Sequence, residues 1–229
     1  GGRDCEKEGR AVIVHNEFQQ GSGEWLQARS SVVTASEFDN IVTPKFEARK
    51  GEMVASYLAE KVAEKWIGGP LPKFSGFFDA EQGHILEDEA LPWYTLETGI
   101  PITRVGFITT DDGRIGASPD GLIGENSGIE VKCPHPKTHC KYLLAGGCPT
   151  EYLHQVHGSM LVTGAAVWTF LSYRRGFPNL IVQVPRDEEI QSKLREALSA
   201  FLERFDAAMK RMEEINGGPR PERKPFVPL

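Results

Sequence analysis

A proline-led acidic turn and the strand that follows it constrain this chain more than any other feature of its sequence. The residues from Pro119 to Lys132 read P-D-x(9)-E-x-K, with glycines bounding a turn between the two halves. Alternate side chains of a strand share a face, so Glu130 and Lys132 point the same way while Val131 points into the core. A hairpin at the turn brings Asp120 beside Glu130. The pattern therefore predicts two carboxylates and an ammonium group at one point of a sheet.

Two neighbouring carboxylates favour a divalent cation at this point, because like charges resist ionising together. Mg²⁺ prefers hard oxygen ligands and keeps several waters, and Asp120 and Glu130 supply such oxygens. The backbone carbonyl of Val131 lies beside both side chains and is a third candidate ligand. Lys132 is placed to hold an attacking water or to stabilise negative charge, and the sequence leaves these two roles open.

Hydrolysis of a phosphodiester bond is the chemistry that this set of residues suits. The reaction needs a nucleophilic water, a neutralised phosphate and a stabilised leaving oxygen, and a divalent metal can supply all three. A third carboxylate would permit a second metal, and the acidic run 81–89 on a predicted helix contains several candidates. A Glu–Lys pair on a strand is also common on solvated surfaces, so the short pattern needs support from its surroundings.

Composition limits the classes of protein that the chain can belong to. Its 229 residues suit one medium domain, placed at 1–216, with a proline-rich tail at 217–229. The formal net charge of −6 disfavours a surface coated for nucleic acid, although a local basic channel remains compatible with it. No apolar run approaches the roughly 20 residues of a membrane span, and the start lacks an apolar secretory core. We therefore expect a cytoplasmic protein with no membrane contact.

The cysteines leave two alternatives. None of the four forms a C-x-x-C motif, and with no secretion signal reduced thiols are expected. A zinc or iron–sulfur site is the alternative, with nearby histidines as further ligands. The residues concerned are Cys5, Cys133, Cys140, Cys148, His135 and His139.

The order of predicted elements favours an α/β fold with a restriction-endonuclease-like core, in which helices flank a central mixed β-sheet. Helices lead, strands carry the central pattern, and helices surround the remaining strands. Thr34 and Glu37 fit a capping box that starts a helix reaching about Val42. The other predicted helices cover 23–29, 53–66, 75–97, 137–145, 152–162 and 187–215, and the predicted strands cover 101–109, 114–118, 122–123, 129–133, 166–173 and 180–184.

Several short blocks between residues 25 and 215 agree, in order, with one known family. They are Ala28-Arg29, Val33-Thr34-Ala35-Ser36, Gly83 to Glu87, Ser118 to Leu122, Glu130 to Pro134, and Tyr152-x-x-Gln155-Val156-x-x-Ser159-Met160. Together they resemble the phage lambda exonuclease family of PD-(D/E)XK nucleases, also called YqaJ-type viral recombinases, and are similar to a prophage alkaline exonuclease. Blocks in the correct order are far more specific than the central motif alone.

The resemblance implies an activity and partners. Members digest one strand of duplex DNA processively in the 5′→3′ direction, with Mg²⁺ or in its place Mn²⁺. They release mononucleotides and leave 3′ overhangs for phage-type homologous recombination. The resemblance further implies double-stranded DNA ends as substrate, a homotrimeric ring around the DNA, a single-strand annealing recombinase as partner, and the cytoplasm of a bacterial host. Lys45, Arg49 and Lys50 are candidates to line the entrance of such a ring.

The resemblance also assigns roles to individual residues. Arginine offers a planar fork to phosphate, and the start of a predicted helix favours anions, which suits a pocket for a terminal 5′-phosphate. The implied metal ligands are Asp120 and Glu130, the catalytic lysine is Lys132, the helix acid and possible ligand of a second metal is Glu87, the glutamine after the motif is Gln155, and the 5′-phosphate pocket consists of Arg29, Ser36 and Ser118.

Two other functions stay open at this stage. One is an endonuclease on the same core, which would cut closed circular DNA, whereas an exonuclease needs an end. The other is a catalytically silent module that binds DNA ends. The intact set of Asp120, Glu130 and Lys132 speaks against the silent module.

Overall fold

The fold is taken from a computed structural model, which describes residues 12–72 and 77–220, and only the backbone of residues 77–85 and 87. In chain order the elements are β1 (Val12–His15), α1 (Gly23–Arg29), β2 (Val33–Thr34), a 3₁₀ helix (Ala35–Asn40), α2 (Glu52–Ile67), α3 (Phe77–Thr98), β3 (Phe107–Thr110), β4 (Ile115–Ala117), β5 (Gly121–Ile123), β6 (Ser127–Lys132), α4 (Pro136–Ala145), α5 (Thr150–Thr163), β7 (Val167–Ser172), β8 (Leu180–Pro185) and α6 (Glu188–Asn216).

The predicted α/β class, with helices flanking mixed sheets, is confirmed. The described strands nevertheless form two four-stranded sheets instead of one, with the orders β1-β3-β4-β2 and β5-β6-β7-β8. Pro119 lies between β4 and β5, and proline has no N–H to donate to a ladder. The chain therefore leaves the first sheet after Ala117 and enters the second at Gly121.

The second sheet carries Glu130 and Lys132 of the pattern on its central strand β6, and Asp120 directly precedes its edge strand β5. β6 pairs antiparallel with β5 and parallel with β7, in the register Glu130↔Phe170 and Lys132↔Ser172. Ile129 and Val131 belong to an apolar cluster with residues of α3. Since side chains alternate along a strand, Glu130 and Lys132 face the opposite side, where α5 packs. The predicted inward direction of Val131 is confirmed.

The close approach of β6 and β7 requires a glycine at position 128. The ring of Trp168, fully buried on β7, lies directly opposite Gly128 in the register. A Cβ at Gly128 would lie 2.3 Å from that ring. The indole therefore occupies the space where any other residue would place its side chain.

The first sheet and its 3₁₀ helix differ from the sequence prediction in three places. β1 pairs antiparallel with β3 and was not predicted. In the range predicted as a strand at 101–109, only Phe107 onward is a strand, while Thr103 makes an isolated bridge to Leu122. The helix predicted after Thr34 is a 3₁₀ helix that ends at Asn40. Thr34 precedes it without a side-chain cap, so the predicted capping box is wrong.

The remaining predicted elements are confirmed to within three residues at each described end. The start predicted for the third helix, at 75, lies outside the described residues, as do the first residues of the chain and 221–229 of the predicted tail. The division into a domain and a tail stays a prediction. Among the described helices, none combines the length and the apolar character that crossing a membrane requires.

Candidate active site

Asp120 lies at the edge of β6 where the pairing with β5 ends. The pairing of β5 with β6 ends at Gly121↔Ile129, so Asp120 takes the place of the next residue in the ladder. Its Oδ2 accepts a hydrogen bond of 2.6 Å from the backbone N–H of Val131. The carbonyl of Lys132 points to the opposite side of β6, toward β7, and accepts a 2.9 Å hydrogen bond from the backbone N–H of Tyr173. Backbone groups alternate along a strand, so the Val131 carbonyl also points toward Asp120.

Glu130 is held by one carboxylate oxygen and presents the other. Its Oε1 lies 2.6 Å from Lys132 Nζ and accepts a 2.6 Å hydrogen bond from Gln155 Nε2 on α5. The residue is only 2% exposed, and its Oε2 has no hydrogen-bond partner among the described residues. A buried carboxylate oxygen without a partner is costly, which makes Oε2 a natural ligand for a cation.

These donors fit a hard divalent ion such as Mg²⁺. Asp120, the Val131 carbonyl and Glu130 Oε2 are all oxygens, which is the ligand type that Mg²⁺ prefers. No group of three or more His, Cys, Asp or Glu side chains that could hold a metal occurs in the described part of the chain. Glu87 lies on α3, which packs against β6, and its side chain is outside the described structure. The second-metal role of Glu87 therefore stays a prediction.

Lys132 completes what we call the carboxylate cluster, namely Asp120, Glu130 and Lys132. Burial alone would lower the pKa of Lys132, but the charges of Glu130 and Asp120 outweigh it and raise the pKa. Its Nζ lies 5.2 Å from the centre of the Tyr152 ring, which stacks on Phe170. Tyr152 was given no role from the sequence. Its place three residues before Gln155 on one helix was the available signal, because such residues share a face.

A second group of polar residues surrounds Arg29. It contains the three residues that the family resemblance assigned to a 5′-phosphate pocket, Arg29, Ser36 and Ser118. The guanidinium donates to Ser118 Oγ at 2.7 Å and to Thr34 Oγ1 and Ser36 Oγ at 3.2 Å each. It also lies 4.3 Å from the ring centre of Trp25. In the described structure no carboxylate pairs with Arg29 directly, so its charge is held by neutral hydroxyls and remains available for an anion. We call Arg29, Thr34, Ser36 and Ser118 the Arg29 pocket.

Two contacts of this pocket were missed from the sequence. Trp25 Nε1 donates to both Gly106 O at 3.0 Å and Ser118 Oγ at 3.1 Å, which fixes the indole under the guanidinium. Thr34 was taken only for a helix cap. The anion-binding argument from the helix start does not hold for Ser36, because the element is a short 3₁₀ helix and Arg29 supplies the positive charge instead.

A cleft of about 710 Å³ lies beside Asp120 and Val131, on the side of β6 where α3 packs, and Asp120 is the member of the carboxylate cluster that lines it. Gln20 also lines it, and its Nε2 donates to Pro119 O and Val105 O at 2.9 Å each, which fixes the turn before Asp120. The volume lies in the range of small-molecule sites, which leaves room for one nucleotide unit beside Asp120.

The other candidate residues are placed as follows. Lys45 and Lys50 are exposed, while Arg49 is half-buried and its Nε donates to Asp39 O at 2.8 Å. Both ring nitrogens of His139 lie within hydrogen-bond distance of other groups, at 2.8 Å from Ser172 Oγ and 2.8 Å from Pro178 O.

A zinc or cluster site finds no support in the described residues. The three described cysteines, Cys133, Cys140 and Cys148, form no disulfide bond with one another, and they belong to no group of metal-binding side chains among the described residues. Cys5 lies outside the described residues.

Comparison with known proteins identifies the family. Residues 24–166, more than half of the chain, match the YqaJ-like viral recombinase domain. Comparison with curated protein sequences gave no match. Two crystal structures of LHK-Exo, an alkaline exonuclease from Laribacter hongkongensis, one of them in complex with dAMP, superpose with a TM-score of 0.76. Each is 29% identical and covers 86% of this chain and 98% of its own.

A more distant structure shares the fold. A phage-related exonuclease from Haemophilus somnus 129PT superposes with a TM-score of 0.59 at 18% identity, covering 79% of this chain and 96% of its own. The segment of this chain that matches the family contains the Arg29 pocket, the carboxylate cluster and Gln155. The chain belongs to the YqaJ-like viral recombinase family.

Proposed function

We propose that this protein is a Mg²⁺-dependent exonuclease that digests one strand of duplex DNA in the 5′→3′ direction. The observation that carries the proposal is the junction of two sites. Ser118 accepts the 2.7 Å hydrogen bond of Arg29 and lies two residues before Asp120. An anion pocket next to a hydrolytic cluster suits an enzyme that recognises a phosphorylated end and cuts beside it. An endonuclease has no need of such a pocket.

The residues of the chain divide the work as follows. Mg²⁺, when bound, would supply positive charge that polarises the scissile phosphate and activates water. Asp120, the Val131 carbonyl and Glu130 Oε2 would hold the ion, while Gln155 fixes Glu130 from the far side. Lys132 supplies N–H donors to the attacking water or to the phosphate oxygens.

The Arg29 pocket is proposed to bind the terminal 5′-phosphate. Charged hydrogen bonds from a guanidinium to phosphate are strong and can be bidentate. With the end held there, the neighbouring phosphodiester bond lies at the carboxylate cluster, and a mononucleotide is released. The binding of dAMP by the related LHK-Exo supports a mononucleotide product.

Digestion of linear and closed circular duplex DNA tests the activity. We expect loss of linear DNA with Mg²⁺ or Mn²⁺, no loss with a chelator, and survival of the circle under all conditions. Cutting of the circle would favour an endonuclease instead. Asp120→Ala should abolish hydrolysis while DNA-end binding survives, and persistent hydrolysis in that variant would remove the assigned site.

The polarity is tested at the DNA end. Arg29→Ala should slow digestion of 5′-phosphorylated ends more than of 5′-hydroxyl ends, by roughly ten-fold or more, because a charged hydrogen bond is worth about 1.5–3 kcal/mol. Equal loss on both ends would exclude the phosphate role. Duplexes with one end blocked would show which strand is degraded.

We further propose that the protein acts as a homotrimeric ring together with a single-strand annealing protein, on DNA in the cytoplasm of a bacterial host. A closed ring would keep an acidic protein, with a net charge of −6, on DNA by topology instead of charge attraction. Processive digestion follows from the same linkage. Light scattering should give three times the monomer mass, and a monomer mass would contradict the ring.

A further inference from the structure

A buried network of charged groups lies between α2 and the 3₁₀ helix, and the proposed reaction does not use it directly. Lys61 Nζ lies 3.1 Å from Glu37 Oε2 and 3.1 Å from Glu64 Oε2. Lys61 and Glu64 are each only 3% exposed. Glu64 Oε2 also accepts from the backbone N–H of Ser31 at 2.9 Å. The arrangement fixes one ammonium between two carboxylates in the interior.

Glu37 connects this network to the Arg29 pocket through one hydroxyl group. Glu37 Oε2 accepts from Tyr57 OH at 3.0 Å and from Thr34 Oγ1 at 3.1 Å, in addition to Lys61. A threonine hydroxyl has a single hydrogen to donate. Because Thr34 gives it to Glu37, the lone pairs of Thr34 Oγ1 remain to accept from Arg29 at 3.2 Å. The direction of donation therefore runs from Arg29 through Thr34 to Glu37.

The charges of the network favour this direction. Burial, and after it Glu37, raise the pKa of Tyr57, so its phenol keeps the proton that it donates. Burial lowers the pKa of Arg29, and Glu37 is the largest influence that opposes this. Glu37 thus supports the charge of Arg29 from a distance without pairing with it. The guanidinium stays charged, and although Nη2 donates to both Thr34 and Ser36 and Nη1 donates to Ser118, one N–H of Nη1 and the Nε–H make no hydrogen bond among the described residues.

A buried ion network is a poor way to gain stability, since the desolvation of its charges offsets much of their attraction. In this chain it has a second effect, which is to fix the orientation of Thr34 and with it one side of the guanidinium. We propose that Glu37, fixed by Lys61 and Tyr57, is a positioning residue that directs Arg29 toward a DNA 5′-phosphate through Thr34. This inference rests on the proposed 5′-phosphate pocket.

The test compares rates on 5′-phosphorylated and 5′-hydroxyl duplex ends. Glu37→Gln weakens the acceptor while keeping its shape, and Thr34→Val removes the connecting hydroxyl. Each should lower the phosphate-to-hydroxyl rate ratio by about five- to ten-fold, the effect of one well-placed hydrogen bond. The matched control is Glu189→Gln, which makes the same charge change at an exposed pair with Lys193 on α6 and should leave the ratio unchanged.

Binding without turnover gives a second readout. In the Asp120→Ala background, Glu37→Gln should weaken binding of a 5′-phosphorylated duplex and leave binding of the 5′-hydroxyl duplex unchanged. Adding Thr34→Val to Glu37→Gln should weaken this binding little further, because both changes break the same chain of hydrogen bonds from Arg29 through Thr34 to Glu37. Thermal unfolding of each variant shows whether it folds, and the rate ratio is independent of how much protein is active.

The outcomes separate this inference from the proposed function. If Arg29→Ala leaves the ratio at the wild-type value, the 5′-phosphate pocket itself is wrong. If Arg29→Ala lowers the ratio while Glu37→Gln and Thr34→Val do not, the pocket stands and the positioning role of Glu37 is overturned. Equal loss on both kinds of end in the Glu37 and Thr34 variants would show a merely structural network and would also overturn it.

Discussion

Replacing Gln155 with methionine tests whether the hydrogen bond from Gln155 orients the Glu130 carboxylate for binding a cation. Gln155 Nε2 donates to Glu130 Oε1 at 2.6 Å, and methionine keeps a similar length and volume but has no donor. Lys132 Nζ, also 2.6 Å from Oε1, would then be the remaining partner of that oxygen in the described structure. We expect Glu130 to rotate more freely, so that Oε2 keeps its present position less often.

The size of the effect follows from the bonds involved. A hydrogen bond to a charged group contributes about 1.5–3 kcal/mol, and about 1.4 kcal/mol corresponds to a factor of ten. Loss of a residue that orients a metal ligand typically costs roughly 10–100-fold in metal affinity or activity. Since Lys132 still holds Oε1, we expect the low end, about a ten-fold rise in the Mg²⁺ concentration that gives half-maximal digestion.

The assay is a Mg²⁺ titration of digestion of linear, 5′-phosphorylated duplex DNA. Gln183→Met is the control, because Gln183 is exposed on β8 and bonds only to Thr169 among the described residues. It should titrate like the wild type. Thermal unfolding in chelator shows that both variants fold. A Gln155→Met enzyme with the wild-type Mg²⁺ midpoint and rate would refute the claim that Gln155 orients Glu130.

Two further predictions concern stability. Gly128→Ala should destabilise the protein by about 1–3 kcal/mol, the usual cost of overpacking, because the new Cβ would meet the Trp168 ring at 2.3 Å. Urea unfolding checks this, and an unchanged midpoint would contradict it. Burial lowers the pKa of His157, with Asp187 opposing and Arg186 reinforcing the effect. As pH falls, His157 is therefore protonated in the unfolded chain before it is protonated in the folded protein. The free energy of unfolding should decline as pH falls below about 6.5, by at most about 1.4 kcal/mol per pH unit. His157→Gln should flatten this decline, and an undiminished slope in the variant would count against it.

Local signals predicted the helices and the motif hairpin well, because these depend on periodicity and turn residues that lie close together in the chain. α1 was predicted at its observed bounds, and Glu130 and Lys132 share a face as the strand period requires. The three residues predicted from the family resemblance to form an anion pocket do converge on one point. The metal and the phosphate roles themselves stay predictions.

Contacts made at long range could not be predicted in the same way. β1 is a short apolar run, Val12 to Val14, whose side chains are all exposed and do not alternate with polar ones, and it is a strand because it pairs with the distant β3. Thr34 and Glu37 have the spacing of a capping box, but Lys61 and Tyr57 from α2 bind the Glu37 carboxylate and remove it from that role. The contacts of Glu37 with α2, about two dozen residues away in the sequence, therefore decided that no capping box forms.

The break between the two sheets has a consequence for where a cut would fall. Ser118 ends one half of the site and Asp120 begins the other, with the rigid Pro119 between them and Gln20 fixing its carbonyl. Two residues of extended chain span at most about 7 Å. The interval from the hydroxyl proposed to bind the DNA end to the first carboxylate proposed to bind the metal is thus limited by covalent bonds. In the proposed mechanism this fixed interval would place each cut one nucleotide from the bound end, and inserting a residue between Ser118 and Asp120 would change the length of the product.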